Sequence, residues 1–209
     1  MRKSASAQLS IARDGLFLSR RLANDITDSA PTARRLVKDH FGRRPLKGVE
    51  LVLTSAKRIP VLAALSQGTA AGVPDDVYAH KTLSFTRNPR DLYSVAVIAP
   101  NNTIEILLNA KRLRRRPQEL GATLVFAFVE VEQLCRKGAW DRRIALTRHE
   151  MGTETLPKSK ARSLYRIEAE LEAEAEAVTQ KIVGKVIRQN RQAENEAAHE
   201  VRQAESAAA

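Results

Sequence analysis

Hydrophobic positions along this chain recur with two periods, and each period predicts its own kind of element. Across LYSVAVIAPNNTIEILLN, Leu92 to Asn109, Tyr93, Val95 and Val97 alternate on one side, and Ile104, Ile106 and Leu108 on the other. Pro100-Asn101-Asn102 separates the two runs, and Asn tolerates the positive φ angles of tight turns, so the stretch predicts a β-hairpin. GVELVLT, Gly48 to Thr54, reads as a further strand, β-branched and partly alternating. A nearly continuous apolar run, ATLVFAFVEVEQLCR from Ala122 to Arg136, is too long for a strand. It predicts a core helix starting near Pro117, a residue favoured in a first helical turn.

Helical spacing dominates elsewhere. Pro31 to Phe41 predicts a short helix with Leu36 and Val37 inward, and Ile59 to Leu65 a helical turn before an irregular connection over 66–76. A break at Gly138 precedes a helix over Trp140 to Glu150, which stops before Pro157. From Ser163, Leu164, Leu171, Val178, Ile182 and Val186 keep one face of a long helix. Glu and Ala alternate over 168–176, but both are strong helix formers and weak strand formers, so helix wins there. Beyond Ile187, Val201 is the one sizeable apolar residue, so Gln189 to Ala209 predicts a solvated helix extension or a tail that orders against a partner. At the other end, Leu9, Ala12, Leu16 and Arg20 fall at helical spacing, and Asn24 to Thr32, with Pro31, reads as a linker and helix cap.

The pattern predicts an α/β (α+β) fold in three parts. These are a basic N-terminal extension over 1–30, a domain over 31–157 with a β-hairpin packed on a core helix, and a long C-terminal helix and tail over 158–209. Composition changes this picture in one respect. The net charge is +11, and all of it lies in the first 157 residues, with 26 basic against 15 acidic residues; the remainder is neutral, nine against nine. Such a field favours an anionic partner: RNA, a cardiolipin-rich membrane face or an acidic protein surface. Its densest point is Lys111-Arg112-Leu113-Arg114-Arg115-Arg116, five cations in six residues ahead of a helix N-terminus, where the dipole disfavours them. Contact with phosphates or an acidic subunit is one reading and a solvated loop the other. Residues 1–23, rich in Arg, Ser and Ala with the single acid Asp14, have the composition of a mitochondrial transit peptide, or of a basic surface helix. The single cysteine, Cys135, rules out an internal disulfide, and no uninterrupted apolar run approaches the roughly 20 residues that span a bilayer.

Candidate chemistry is sparse. The histidines are His40, His80, His149 and His199, with no pair one helical turn apart. A zinc peptidase needs two such imidazoles, a third ligand and a glutamate that takes a proton from bound water. His149-Glu150-Met151-Gly152-Thr153 starts that way but has Thr at the second ligand's place. Cys135 has basic neighbours in Arg136 and Lys137 but no histidine near in sequence, and its glycines form no phosphate-cradling loop. No cofactor is expected.

Taken as one unit, NNTIEILLNAKRLRRRPQELGATLVFAFVEVEQLCR is similar to a segment of the mitochondrial inner-membrane metallopeptidases of the Ku-binding-protein family, which process and help assemble an ATP synthase subunit. In that family an Asn-x-Ile-x-Leu strand leads to a helix carrying His-Glu-x-x-His and ending in Cys-Arg. The resemblance sets Thr123-Leu124 at the helix start and Cys135-Arg136 at its end. It puts Phe126 and Glu130 at the two histidine positions and Ala127 at the catalytic glutamate. It implies a degenerate zincin-like scaffold that binds no metal and is not an enzyme. Its expected role is that of an accessory subunit of a mitochondrial inner-membrane complex, ATP synthase or a respiratory complex, peripheral to the membrane and in contact with other protein subunits. The alternative role is an RNA-contacting mitochondrial ribosome or ribosome-assembly protein, which the charge excess and the cations Lys111, Arg112, Arg114, Arg115 and Arg116 favour. Residual hydrolase activity is the third, disfavoured by the missing ligands.

Overall fold

In the computed structural model, which describes residues 9–13, 19–42, 48–78 and 91–208, four strands form one mixed sheet. They are β1 (Leu9–Arg13), β2 (Val49–Thr54), β3 (Ser94–Ala99) and β4 (Thr103–Asn109), in the order β1-β2-β4-β3. β1, β2 and β4 run parallel, and β3 closes the sheet as an antiparallel edge strand. The predicted hairpin is β3 and β4. Its turn places Asn101 and Asn102 at φ 60° and 56°, the left-handed region for which Asn was singled out.

Alternation gives the sheet two different faces. Val49, Leu51 and Leu53 join Ile104, Ile106 and Leu108 in the main core, covered by helices α1 (Arg20–Phe41) and α5 (Leu120–Leu134). Val97 and Leu107 join a smaller core on the opposite face, under α2 (Ile59–Ala70). A short helix α3 (Asp75–Tyr78) follows α2, and α4 (Ala110–Arg115) follows β4. Gly138, at φ 73°, separates α5 from α6 (Ala139–Glu150). The last helix, α7 (Lys158–Ala208), lays Ala175 and Ile182 on the main core. The class is mixed α/β, as the pattern predicted.

Three local expectations are corrected. Leu9–Arg13 is not part of a helix but a strand paired along its length with β2. LSIAR also alternates with period two, and an open parallel edge beside it satisfies backbone groups that a solvated helix end would leave to water. Leu16, which completed the helical spacing, lies outside the described residues, as does His80. Second, 24–32 is no linker: it is the middle of α1, with Pro31 inside the helix, so the boundary at residue 30 falls within one element. A proline there costs a hydrogen bond and strain, on the order of 3 kcal/mol. The burial of Ile26, Ala30, Ala33 and Val37 on the sheet offsets it. Third, α2 continues to Ala70 through part of the supposed irregular connection. Its buried polar residues are bonded: Ser66 Oγ donates to Glu105 Oε2 at 2.6 Å, and Gln67 Oε1 accepts from Thr147 Oγ1 at 2.9 Å.

The 51 residues of α7 span about 77 Å at 1.5 Å per residue, well beyond the body that the helix packs on. From Ile187 to Ala197 every residue is exposed. Ending the chain at Asn190 should therefore leave the thermal midpoint within about 2 °C of the full chain, since the first removed residues, 191–197, are all exposed. A fall of about 10 °C would mean that the distal helix folds back on its own domain.

Candidate functional site

The apolar face of α5 turns Val125, Phe128 and Val129 into the main core, as expected for the central helix. Its other face looks into a cavity of about 390 Å³ between β3, α5, α6 and α7. Phe126, Glu130 and Gln133, spaced at i, i+4 and i+7, line that cavity on one side. The outer edge of β3 lines a second side, and Arg143, Glu150, Tyr165 and Glu168 the rest.

Glu130 is the centre of this arrangement. Its residue is half-buried, but the carboxyl itself is enclosed, and Oε2 accepts the backbone N–H of Ala96 at 3.1 Å. Ala96 lies on the edge strand, and this N–H is one that β4 does not use. Burial pushes the Glu130 carboxyl up to about 8; the Ala96 bond and Arg143 act against that shift, while Glu172 and Glu168 add to it. Glu130 faces the cavity and Glu132 is buried, because the helix is covered on both sides, by the sheet and by α7.

The rest of the wall is tied together by charged pairs. Arg143 is ion-paired with Glu168 across α6 and α7. Burial raises the carboxyl of Glu150, with the Tyr165 hydroxyl bond opposing, and Tyr165 is raised in turn, first by burial and then by Glu150. Just outside, Arg136 holds Glu174 at 2.5 Å and 2.7 Å, and that pairing keeps the Glu174 carboxyl below its ordinary range. Gln133 Nε2 donates to Leu171 O at 2.8 Å, fastening α7 to α5. The bond to α7 explains why Gln133 is buried in a helix whose sequence reads as amphipathic only in part.

The positions singled out from the sequence separate here. Phe126 and Glu130 share the cavity wall, whereas Ala127 is fully buried in the main core. A glutamate at 127 would place its carboxyl among apolar side chains, not beside Glu130. Among the described residues no three of His, Cys, Asp and Glu are gathered so as to hold a metal ion. His149 serves its own loop, with Nδ1 accepting the N–H of Leu156 at 3.3 Å. Cys135 is half-buried at the end of α5.

The basic run forms a helix of its own. Lys111, Arg112, Arg114 and Arg115 belong to α4, with Arg112, Arg114 and Arg115 in its last turn, where the dipole favours cations. Arg112 is engaged locally: it pairs with Asp91 at 3.2 Å and stacks on the Tyr93 ring with 4.3 Å to the centroid. Lys111, Arg114, Arg115 and Arg116 are exposed. Sequence reasoning missed Glu150, Tyr165 and Glu168 as further walls of the cavity that Glu130 faces. They stand at helical spacings on elements far apart in the chain, and nothing local marks them. No helix of the described residues is long and apolar enough to cross a membrane. Comparison with known proteins finds no matching family model, no matching curated protein and no matching solved structure.

Proposed function

We propose that the protein is a non-catalytic subunit of a larger assembly, built on a degenerate peptidase-like scaffold and joined to its partners through the projecting part of α7. The observation that carries this reading is the run of exposed residues from Ile187 to Ala197 on a helix about 77 Å long. An isolated helix of that composition gains nothing from solvent, and a protein partner supplies what its own core does not. The cavity supports the non-catalytic half. Of the three motif positions, Phe126 and Ala127 offer neither a ligand nor a proton, and Glu130 is bonded to its own edge strand. On the resemblance, the assembly is a mitochondrial inner-membrane complex, ATP synthase or a respiratory complex, with this subunit peripheral to the bilayer. The second reading, a ribosomal or ribosome-assembly protein, is favoured by the exposed cations of α4 and Arg116.

Sedimentation of the full chain from gently lysed cells tests the proposal. Co-migration with a large membrane-protein complex is the expected result, co-migration with ribosomal particles supports the second reading, and sedimentation as a free monomer sinks both. The purified protein should also hold far less than one zinc per chain and cleave no peptide. Replacing Phe126→His, Ala127→Glu and Glu130→His together should give weak zinc binding at most and no hydrolysis, because position 127 faces the core. One tightly held zinc per unaltered chain, or peptidase activity in the triple variant, would contradict this.

A further inference from the structure

The carboxyl ends of β1, β2 and β4 lie side by side at one end of the sheet, since the three strands are parallel neighbours. β4 runs straight into α4 there, β2 reaches α2 through a four-residue turn, and α1 is the next described helix after β1. α1 begins with Arg20 and Arg21, the turn before α2 holds Lys57 and Arg58, and α4 with the residue after it supplies Lys111, Arg114, Arg115 and Arg116. All of these residues are exposed. Among the described residues, Arg20, Arg21, Lys57, Lys111, Arg114, Arg115 and Arg116 form no ion pair, unlike Arg112, which Asp91 holds. Segments some 90 residues apart in the chain are thereby brought to one end of the fold.

The cations at the starts of α1 and α2 are costly there without a partner. α1 and α2 have no acidic residue in the first turn, and α1 has two arginines there. Cations at a helix N-terminus oppose the dipole, and like charges gathered at one end repel each other. Neighbouring strands lie about 4.8 Å apart, so the three strand ends cover about 10 Å along the sheet, and a helical layer about 10 Å from the sheet on each face gives about 20 Å across it. The cations therefore form a ridge about 20 Å across, wide enough to meet phosphates on both sides of a groove about 12 Å wide. Arginine dominates the set, and its planar fork suits phosphate oxygens.

We propose that this end of the sheet is a binding surface for the phosphate backbone of double-helical nucleic acid, read without regard to sequence. A single strand is the poorer fit, because base stacking needs open aromatic faces. The ring of Tyr93, beside α4, is covered by the Arg112 guanidinium. The surface is made by α1, α4 and the turn before α2 and not by α7, so this inference goes beyond the docking role and does not depend on it.

The test is binding of the full chain to mixed-sequence RNA and DNA duplexes of about 20 base pairs, by fluorescence anisotropy across a salt series. With about five phosphates engaged, affinity should fall by roughly 500-fold between 50 and 200 mM salt. Arg20→Glu with Arg21→Glu, and separately Arg114→Glu with Arg115→Glu, should each weaken binding at least tenfold and flatten the salt slope by about two. Arg188→Glu with Arg191→Glu makes the same charge change on the exposed part of α7 and should alter affinity less than twofold. All three variants change exposed side chains, and their thermal midpoints verify that they fold. Equal weakening by the α7 control, no effect from the α1 pair, or no duplex binding would each overturn the proposal. So would binding to vesicles containing cardiolipin with the same residue dependence and no duplex binding, which would assign the surface to a membrane face.

Discussion

Phe128→Ala is expected to lower the free energy of unfolding by about 3–5 kcal/mol, the range for a large aromatic removed from a packed interior. The residue is 2% exposed and belongs to the main core, to which α1, β2, β3 and β4 also contribute. The loss has two parts, the transfer energy of the ring and the unfilled space it leaves. Phe126→Ala, two residues away on the cavity side, should cost less because Phe126 is only partly buried and borders open space. Urea denaturation of both variants checks the contrast. Similar losses for the two would mean that the assignment of core and cavity faces of α5 is wrong.

Glu130→Gln should remove a pH dependence of stability, with the largest difference above pH 8. The folded-state carboxyl titrates at about 8 against an ordinary value of 4.5. Between those two values the unfolded chain has released its proton while the folded chain retains it. Stability therefore falls as pH rises through this window, by about 1.4 kcal/mol for each unit at full separation, and levels off above about 8. Glutamine keeps an oxygen for the Ala96 N–H but cannot ionise, so the variant should match the parent near pH 4.5 and exceed it by a few kcal/mol at pH 9. Glu150 and Glu105 are raised by burial and contribute in the same sense, whereas Glu174 is lowered and contributes in the opposite sense only below its ordinary range. The difference between parent and variant isolates Glu130. Parallel stability curves from pH 5 to 9 would show that its carboxyl is ionised and solvated in the folded state.

Much of the fold was legible where local pattern and tertiary environment agree. The hairpin declared itself through alternation and two adjacent asparagines, and α5 through an apolar run broken only by residues that face α7 or the cavity. The misread segments are those where environment overrides local signal. Pro31 looked like a boundary because a proline costs a hydrogen bond, and only burial of Ile26 and Val37 on either side shows why the helix continues. LSIAR fits either period over five residues, and its parallel neighbour 40 residues later decides between them. At the candidate site, the sequence pointed to positions 126 and 130 but gave no sign of the cavity's other walls. Glu150, Tyr165 and Glu168 come from helices whose packing angle no local pattern encodes. The basic run was visible as a run, while its convergence with Arg20, Arg21 and Lys57 depends on strand order.

Sedimentation of the full chain beside the chain ending at Asn190, both expressed in the native host, tests the docking role most directly. The full chain should travel with a large particle, and the shortened chain should remain folded yet sediment as a free domain. If the shortened chain travels with the particle as well as the full one, the projecting helix is not the docking element and the account of α7 is wrong.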